Sequence, residues 1–146
     1  MPDLPRLDDL LCFAIYSASH AFTKVYKPLL AELGLTYPQY IVMIALWSED
    51  DQTVGELGQQ LHLASNTLTP LLKRLEKLGY VTRRRDEADE RQVRVGLTDA
   101  GQELRARART VPDCIAAATA LSSEELERVT HQIATLRQNL LDASET

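Results

Sequence analysis

The most restrictive stretch of this sequence is residues 53–97, where two helix-opening signals run directly into two strand-like segments around a charged turn. Thr53-Val54-Gly55-Glu56 has the form of a capping box and predicts a short helix to about Leu61. After His62-Leu63-Ala64, Ser65 is placed to cap a second helix to about Leu78. That helix carries Leu68, Leu71, Leu72, Leu75 and Leu78 on its apolar side and Gly79 as its stop. Two short helices joined by such a turn read as a helix-turn-helix. Residues 80–83 have strand character, residues 92–97 alternate as a second strand should, and residues 84–90 between them are polar or charged except Ala88. The expected fold is therefore mainly α with a small β-hairpin wing.

The flanking segments are helical by period. Leu7, Leu10, Leu11, Ala14, Ala18, Ala21, Val25, Leu29 and Leu33 recur at three- and four-residue steps and predict one long amphipathic helix. Pro28 is expected to kink or break it near residues 24–28. Gly34 ends the pattern, and Thr36-Tyr37-Pro38-Gln39 opens a second helix, residues 38–48. The polar run at residues 48–52 reads as a loop. Beyond the wing, Thr98 caps a helix expected to continue through a Pro112 kink to about Ala120. Ser122-Ser123-Glu124-Glu125 opens a last helix with Leu126, Val129, Ile133, Leu136 and Leu140 on one side. The apolar stripes of the terminal helices need a surface to cover, either their own domain or, more economically, a second copy of the chain. The organisation expected is one domain over residues 1–146. Residues 1–34 and 102–146 supply dimerisation helices, and residues 35–101 form the winged helix-turn-helix.

Charge supports a nucleic-acid partner despite the overall balance of −5. Residues 62–94 hold eight basic side chains, Lys73, Arg74, Lys77, Arg83, Arg84, Arg85, Arg91 and Arg94, against five acidic ones, and the rest of the chain is strongly acidic. Such asymmetry suits a protein that presents one face to DNA, although a solvated basic loop would look similar. The longest apolar runs, residues 10–16 and 40–47, fall far short of the roughly 20 residues of a membrane span. No basic-then-apolar leader is visible, so a cytoplasmic protein without membrane contact is expected.

If double-stranded DNA is the partner, the second helix of the motif enters the major groove by its N-terminal half. Ser65, Asn66, Thr67 and Thr69 offer donors, acceptors and methyl groups to base edges there. Lys73, Arg74 and Lys77 suit phosphates, with an internal ion pair as the alternative for Arg74. Arg91 at the wing tip suits minor-groove insertion, with Asp89 able to orient it, and Arg83, Arg84, Arg85 and Arg94 suit the DNA backbone. A twofold dimer implies a pseudo-palindromic operator.

Two motif sets give the chain a family likeness. Asp89-Glu90-Arg91 with Leu97-Thr98-Asp99-Ala100-Gly101 resembles the wing and following helix of the MarR winged-helix repressors. Leu10-Leu11-Cys12-Phe13-Ala14-Ile15-Tyr16-Ser17 with Leu35-Thr36-Tyr37-Pro38-Gln39-Tyr40 resembles the organic hydroperoxide resistance branch of that family. The resemblance implies a homodimeric repressor whose N-terminal cysteine, Cys12, is oxidised by organic hydroperoxide, the inducer, which releases DNA. It also implies roles for Tyr16, Tyr26 and Tyr37 beside the sulfur.

A cysteine reduces a peroxide as the thiolate, and phenols can hold that anion by hydrogen bonds. Tyr16, four residues on, shares the helix face of Cys12. Tyr26, fourteen residues on, lies about 21 Å along the axis and cannot reach its own Cys12. If it contributes, as the resemblance suggests, it comes from the partner subunit in an antiparallel pairing. Phe13, Ile15, Phe22, Ile41, Met43 and Ile44 are available to line an apolar pocket that would favour alkyl over hydrogen peroxide. By itself Cys12 would read as a small buried hydrophobe. In the two-cysteine form of the branch, a second cysteine near the C-terminal helices of the other subunit resolves the sulfenic acid. Cys114 is the candidate for an intersubunit Cys12–Cys114 disulfide, with a packing role beside Pro112 as the alternative.

Two other readings compete: a regulator sensing a small aromatic ligand with an incidental cysteine, and a thiol peroxidase. The second leaves the winged motif unexplained, so no enzyme is expected. His20, His62 and His131 are isolated, no zinc-ligand, phosphate-loop or nucleophile motif occurs, and no metal or cofactor is expected. The pairs Asp8-Asp9 and Asp50-Asp51 read as solvated helix ends.

Overall fold

The structure, a computed structural model, describes residues 3–145. It divides into two compact units, residues 1–109 and 110–146. In the first, a single 3₁₀ turn, Leu7–Asp9, precedes helix α1, Leu11–Ala31. The apolar period running from Leu7 thus does not form one helix. Leu10 is extended (φ −88°, ψ 117°) and caps α1, so Asp8 and Asp9 belong to a separate turn. Pro28 lies inside α1, which continues past it to Ala31, and Gly34 closes the turn beyond with φ +69°.

Helix α2, Tyr37–Ser48, opens on the expected capping box. Thr36 Oγ1 accepts from Gln39 N at 3.4 Å, and Gln39 Oε1 accepts from Thr36 N at 2.9 Å. The segment expected to be a loop ends in a two-residue strand, β1 (Gln52–Thr53). Thr53 then caps α3, Val54–Leu61, in a second capping box with Glu56. Helix α4, Ser65–Lys77, is capped by Ala64 with no side-chain bond. Ser65 is therefore its first residue and not its cap, and its carbonyl accepts from the Thr69 hydroxyl at 2.8 Å.

Strands β2 (Val81–Arg85) and β3 (Val93–Leu97) form the wing. The sheet has three antiparallel strands in the order β1-β3-β2, so β3 is central. Thr98 caps α5, Asp99–Arg107, by accepting from Gly101 N at 3.0 Å. Gly101 is required: a Cβ there would overlap the Tyr80 carbonyl. The Gly101 carbonyl in turn accepts from Trp47 Nε1 at 2.9 Å, tying α5 to α2. Val42, Met43 and Leu46 of α2, Leu57 of α3, Leu68, Leu72 and Leu75 of α4, and Val81 and Val95 of the sheet are fully buried. This core fixes α3 and α4 beside the wing.

The second unit holds α6, Val111–Thr119, and α7, Ser123–Ser144. The single helix expected from Asp99 to about Ala120 is two helices, since α5 ends at Arg107 and Pro112 takes the second position of α6, where its missing N–H costs nothing. Ser122 caps α7 by accepting from Glu125 N at 3.1 Å.

Candidate functional site

Helix α4 presents Ser65, Asn66 and Thr67 to solvent at its N-terminal end, while Thr69 is half-buried with its hydroxyl proton held by Ser65. Lys73, Arg74 and Lys77 are exposed along the same helix and, among the described residues, form no ion pair, so the alternative of an internal pair for Arg74 does not occur. At the wing tip Arg91 is 90 % exposed at its side chain. Its guanidinium donates to Asp89 Oδ1 at 3.1 Å and Oδ2 at 3.3 Å, the orientation anticipated from their spacing. Those bonds hold the Asp89 carboxyl below its ordinary range.

The other wing arginines are engaged within the chain. Arg83 donates to Glu76 Oε1 through Nη2 at 3.0 Å and through Nε at 3.3 Å, and the same contact depresses the Glu76 carboxyl. Arg84 and Arg94 both bind Asp51, and Arg85 Nη1 donates to the Glu90 carbonyl at 2.9 Å. Arg83, Arg84, Arg85 and Arg94, the four expected to contact the DNA backbone, thus each have an acceptor within the chain, brought near by the wing register and the preceding elements. Asp50 and Asp51, read as a solvated helix end, are exposed just past the C-cap of α2 and also accept hydrogen bonds from the wing.

The cysteine and the phenols lie on α1 and α2. Cys12 is a free, exposed thiol at the second position of α1, on the first turn, where backbone N–H groups lack intrahelical acceptors. An anion is favoured at such an end. Tyr16, one turn on, is 63 % exposed and packs on His20 with ring centroids 4.4 Å apart. At the other end of α1, Tyr26 meets Tyr37 at 4.9 Å and Tyr40 at 5.8 Å, all within one chain. Burial, followed by the neighbouring phenols, pushes the Tyr26 hydroxyl up to about 12 and raises that of Tyr40. Tyr26 and Tyr40 therefore keep their protons at neutral pH.

A groove of about 570 Å³ opens beside this cluster, lined by Thr23, Tyr26, Lys27, Leu30, Leu35 and Tyr37 among others. None of the six apolar residues expected to form a pocket lines it. Met43 is sealed in the core, Phe22 and Ile44 face solvent, and Phe13, Ile15 and Ile41 are half-buried. Tyr40 carries no role in the sequence reading. Its signal was its place at the end of the Leu35–Tyr40 motif, one turn after Tyr37 on α2. Cys114 is a free, exposed thiol on α6.

A two-helix motif with an exposed second helix, followed by a basic hairpin and a capped helix, is the arrangement of a winged-helix regulator, and comparison with known proteins agrees. The family model described as transcriptional regulator SarA/Rot matches residues 24–107. The organic hydroperoxide resistance transcriptional regulator of Bacillus subtilis is 43 % identical over 138 residues, 94 % of each chain. This chain belongs to the SarA/Rot and MarR type of winged-helix transcriptional regulators. Within that family, the HTH-type transcriptional regulator TtmR of Methylorubrum extorquens is 46 % identical over 94 % of this chain and 71 % of its own. The crystal structure of AbfR of Staphylococcus epidermidis superposes with a TM-score of 0.78 at 38 % identity, over 94 % of this chain and 95 % of that one. AbfR has also been solved reduced and bound to DNA (TM-score 0.75, 39 % identity, 92 % and 94 % covered) and in a disulfide-formed state (0.62, 39 %, 97 % and 94 %). As expected for such a regulator, no helix among the described residues is long and apolar enough to cross a membrane.

Proposed function

We propose that this winged-helix protein is a homodimeric repressor that releases a pseudo-palindromic operator when organic hydroperoxide oxidises Cys12, without turning over as an enzyme. One observation carries the reading. Cys12 and the Tyr26–Tyr37–Tyr40 cluster occupy opposite ends of α1, about 21 Å apart at 1.5 Å per residue. No one chain can bring its thiol to that cluster. Two chains with their α1 helices antiparallel can, each N-terminal end meeting the other's phenols.

The chemistry suits these groups. The Cys12 thiolate attacks the terminal, hydrogen-bearing oxygen of the peroxide, forming an S–O bond and breaking O–O. The sulfur becomes a sulfenic acid, and the leaving alkoxide takes a proton to become an alcohol. Protonated phenols stabilise the thiolate and then the alkoxide by donating hydrogen bonds. The groove beside them accepts the alkyl part of the peroxide. Cys114 of the other subunit then attacks the sulfenic sulfur, forming the disulfide and releasing water. Similarity to the Bacillus regulator, named for organic hydroperoxide resistance, and to AbfR, solved in reduced and disulfide-formed states, supports this course.

On the DNA side, Ser65, Asn66 and Thr67 read the major groove, Thr69 contributes its methyl group, and Lys73, Arg74 and Lys77 hold phosphates. Arg91, oriented by Asp89, enters the minor groove. The test is release of a duplex recovered from a randomised library by the reduced protein. Cumene hydroperoxide should free wild type and leave Cys12→Ser bound. A covalent dimer should appear on a non-reducing gel and vanish in Cys114→Ser. Release of the Cys12→Ser protein would overturn the redox reading. The size of the groove and its phenol lining favour a small aromatic ligand as the second reading, under which such a ligand frees both proteins.

A further inference from the structure

The register of the wing poses an electrostatic problem. Arg84 of β2 lies directly opposite Arg94 of β3, and like charges so placed on an antiparallel ladder repel. The counter-charge comes from outside the hairpin. Asp51, in the turn before β1, receives Arg84 as a two-pronged fork, Nη1 to Oδ1 at 3.0 Å and Nη2 to Oδ2 at 3.2 Å. Arg94 reaches the same residue from the other strand, Nε to Oδ1 at 3.1 Å and Nη2 to the backbone carbonyl at 2.7 Å.

The turn is built to hold that carboxylate in place. Asp51 sits at φ +58°, a conformation few non-glycine residues adopt but one that Asp tolerates. Asp50 Oδ1 accepts from both Asp51 N and Leu97 N at 2.8 Å, stitching the turn to the end of β3. On the other side, Gln52 Nε2 donates to the carbonyls of Ala45 at 3.1 Å and Glu49 at 2.6 Å, fastening the turn to the end of α2. The turn therefore grips the wing base with one side and α2 with the other.

We propose that Asp51 is a positioning residue for DNA binding: it clamps the base of the wing to the end of α2 and withholds Arg84 and Arg94 from phosphates. The proposal rests on the reading that the α4 and wing face meets DNA, and it divides the basic residues of that face in two. Arg84 and Arg94 serve the fold. Lys73, Arg74 and Lys77 of α4, with Arg91 at the wing tip, are left to DNA. The division limits non-specific attraction, since every freed cation adds a phosphate contact without sequence information.

The experiment measures affinity against salt for the library-selected duplex and for a random-sequence duplex. Freeing the two arginines in Asp51→Asn should steepen the slope of log K against log salt by about 0.9 for each arginine that finds a phosphate. Binding to random DNA should tighten, and the ratio of selected to random affinity should fall several-fold. Asp51→Glu should restore part of that ratio. Arg84→Gln and Arg94→Gln should leave the wild-type slope unchanged, and these variants decide the matter if Asp51→Asn does not fold. A loss of slope by about 0.9 in either arginine variant would overturn the proposal, as would an unchanged slope in folded Asp51→Asn. Wild-type binding to the selected duplex tests the DNA reading separately.

Discussion

The winged-helix region and helices α1 and α7 carry apolar residues at the same helical period, yet they meet different fates. Residues of α2, α3, α4 and the sheet pack to complete burial, with Leu46, Leu57, Leu68, Leu72 and Leu75 entirely shielded. Helix α7, 22 residues long, buries none, and α1, 21 residues long, buries only Leu30. Leu11, Phe22, Val129, Ile133 and Leu140 stay exposed. Periodicity therefore marks a face that needs covering without saying what covers it. In the winged-helix region the covering is supplied by the same chain. On α1 and α7 the same chain does not supply it, and the proposed homodimer, which would also assemble the sensor site, is the arrangement that would cover these faces.

The sharpest way to break this comparison is to make similar truncations in the two regions. Leu72→Ala, in the sealed core, should cost about 2–5 kcal/mol of stability, read as a lowered urea midpoint. Ile133→Ser, on the exposed stripe, should change the fold of the single chain by no more than about 0.5 kcal/mol. It should instead raise the protein concentration at which dimers form, read by sedimentation. If Ile133→Ser unfolds the chain as severely as Leu72→Ala, the stripe is core and the comparison fails.

A smaller effect concerns the phenol cluster. Tyr26 holds its proton up to about 12 in the folded protein, above the ordinary 10.0. Its contribution to stability is therefore whole below pH 10 and disappears as pH rises from there toward 12. Absorbance titration should show a late phenolate step that Tyr26→Phe removes. A Tyr26 titrating with the exposed tyrosines would contradict the packed cluster.

What could be read from the sequence was mostly punctuation. Thr36 with Gln39, Thr53 with Glu56, Thr98, Ser122, Gly34 and Gly79 act locally, through one hydrogen bond or one left-handed residue, and the helix ends they mark stand close to where expected. Boundaries without punctuation were illegible. The apolar period runs unbroken through Leu10, and nothing at residues 108–110 announces a break before α6. Strand β1 is two residues long and exists because β3 offers it an edge. Of the candidate site, Cys12, Tyr26 and Tyr37 were visible through family likeness, and Asp89 with Arg91 through spacing. The Asp51 clamp was not, since its arginines lie 33 and 43 residues away and only the strand register brings them together.

The central claim is that thiol and phenols from different chains make one site, and mixed dimers test it most directly. Cys12→Ser has no reactive sulfur, and Tyr26→Phe/Tyr37→Phe should react slowly with cumene hydroperoxide. When the two proteins are mixed and allowed to exchange subunits, each hybrid dimer should regain one complete site and a fast phase of Cys12 oxidation, followed by mass spectrometry. A mixture that reacts only as the sum of its separate parents would contradict the account.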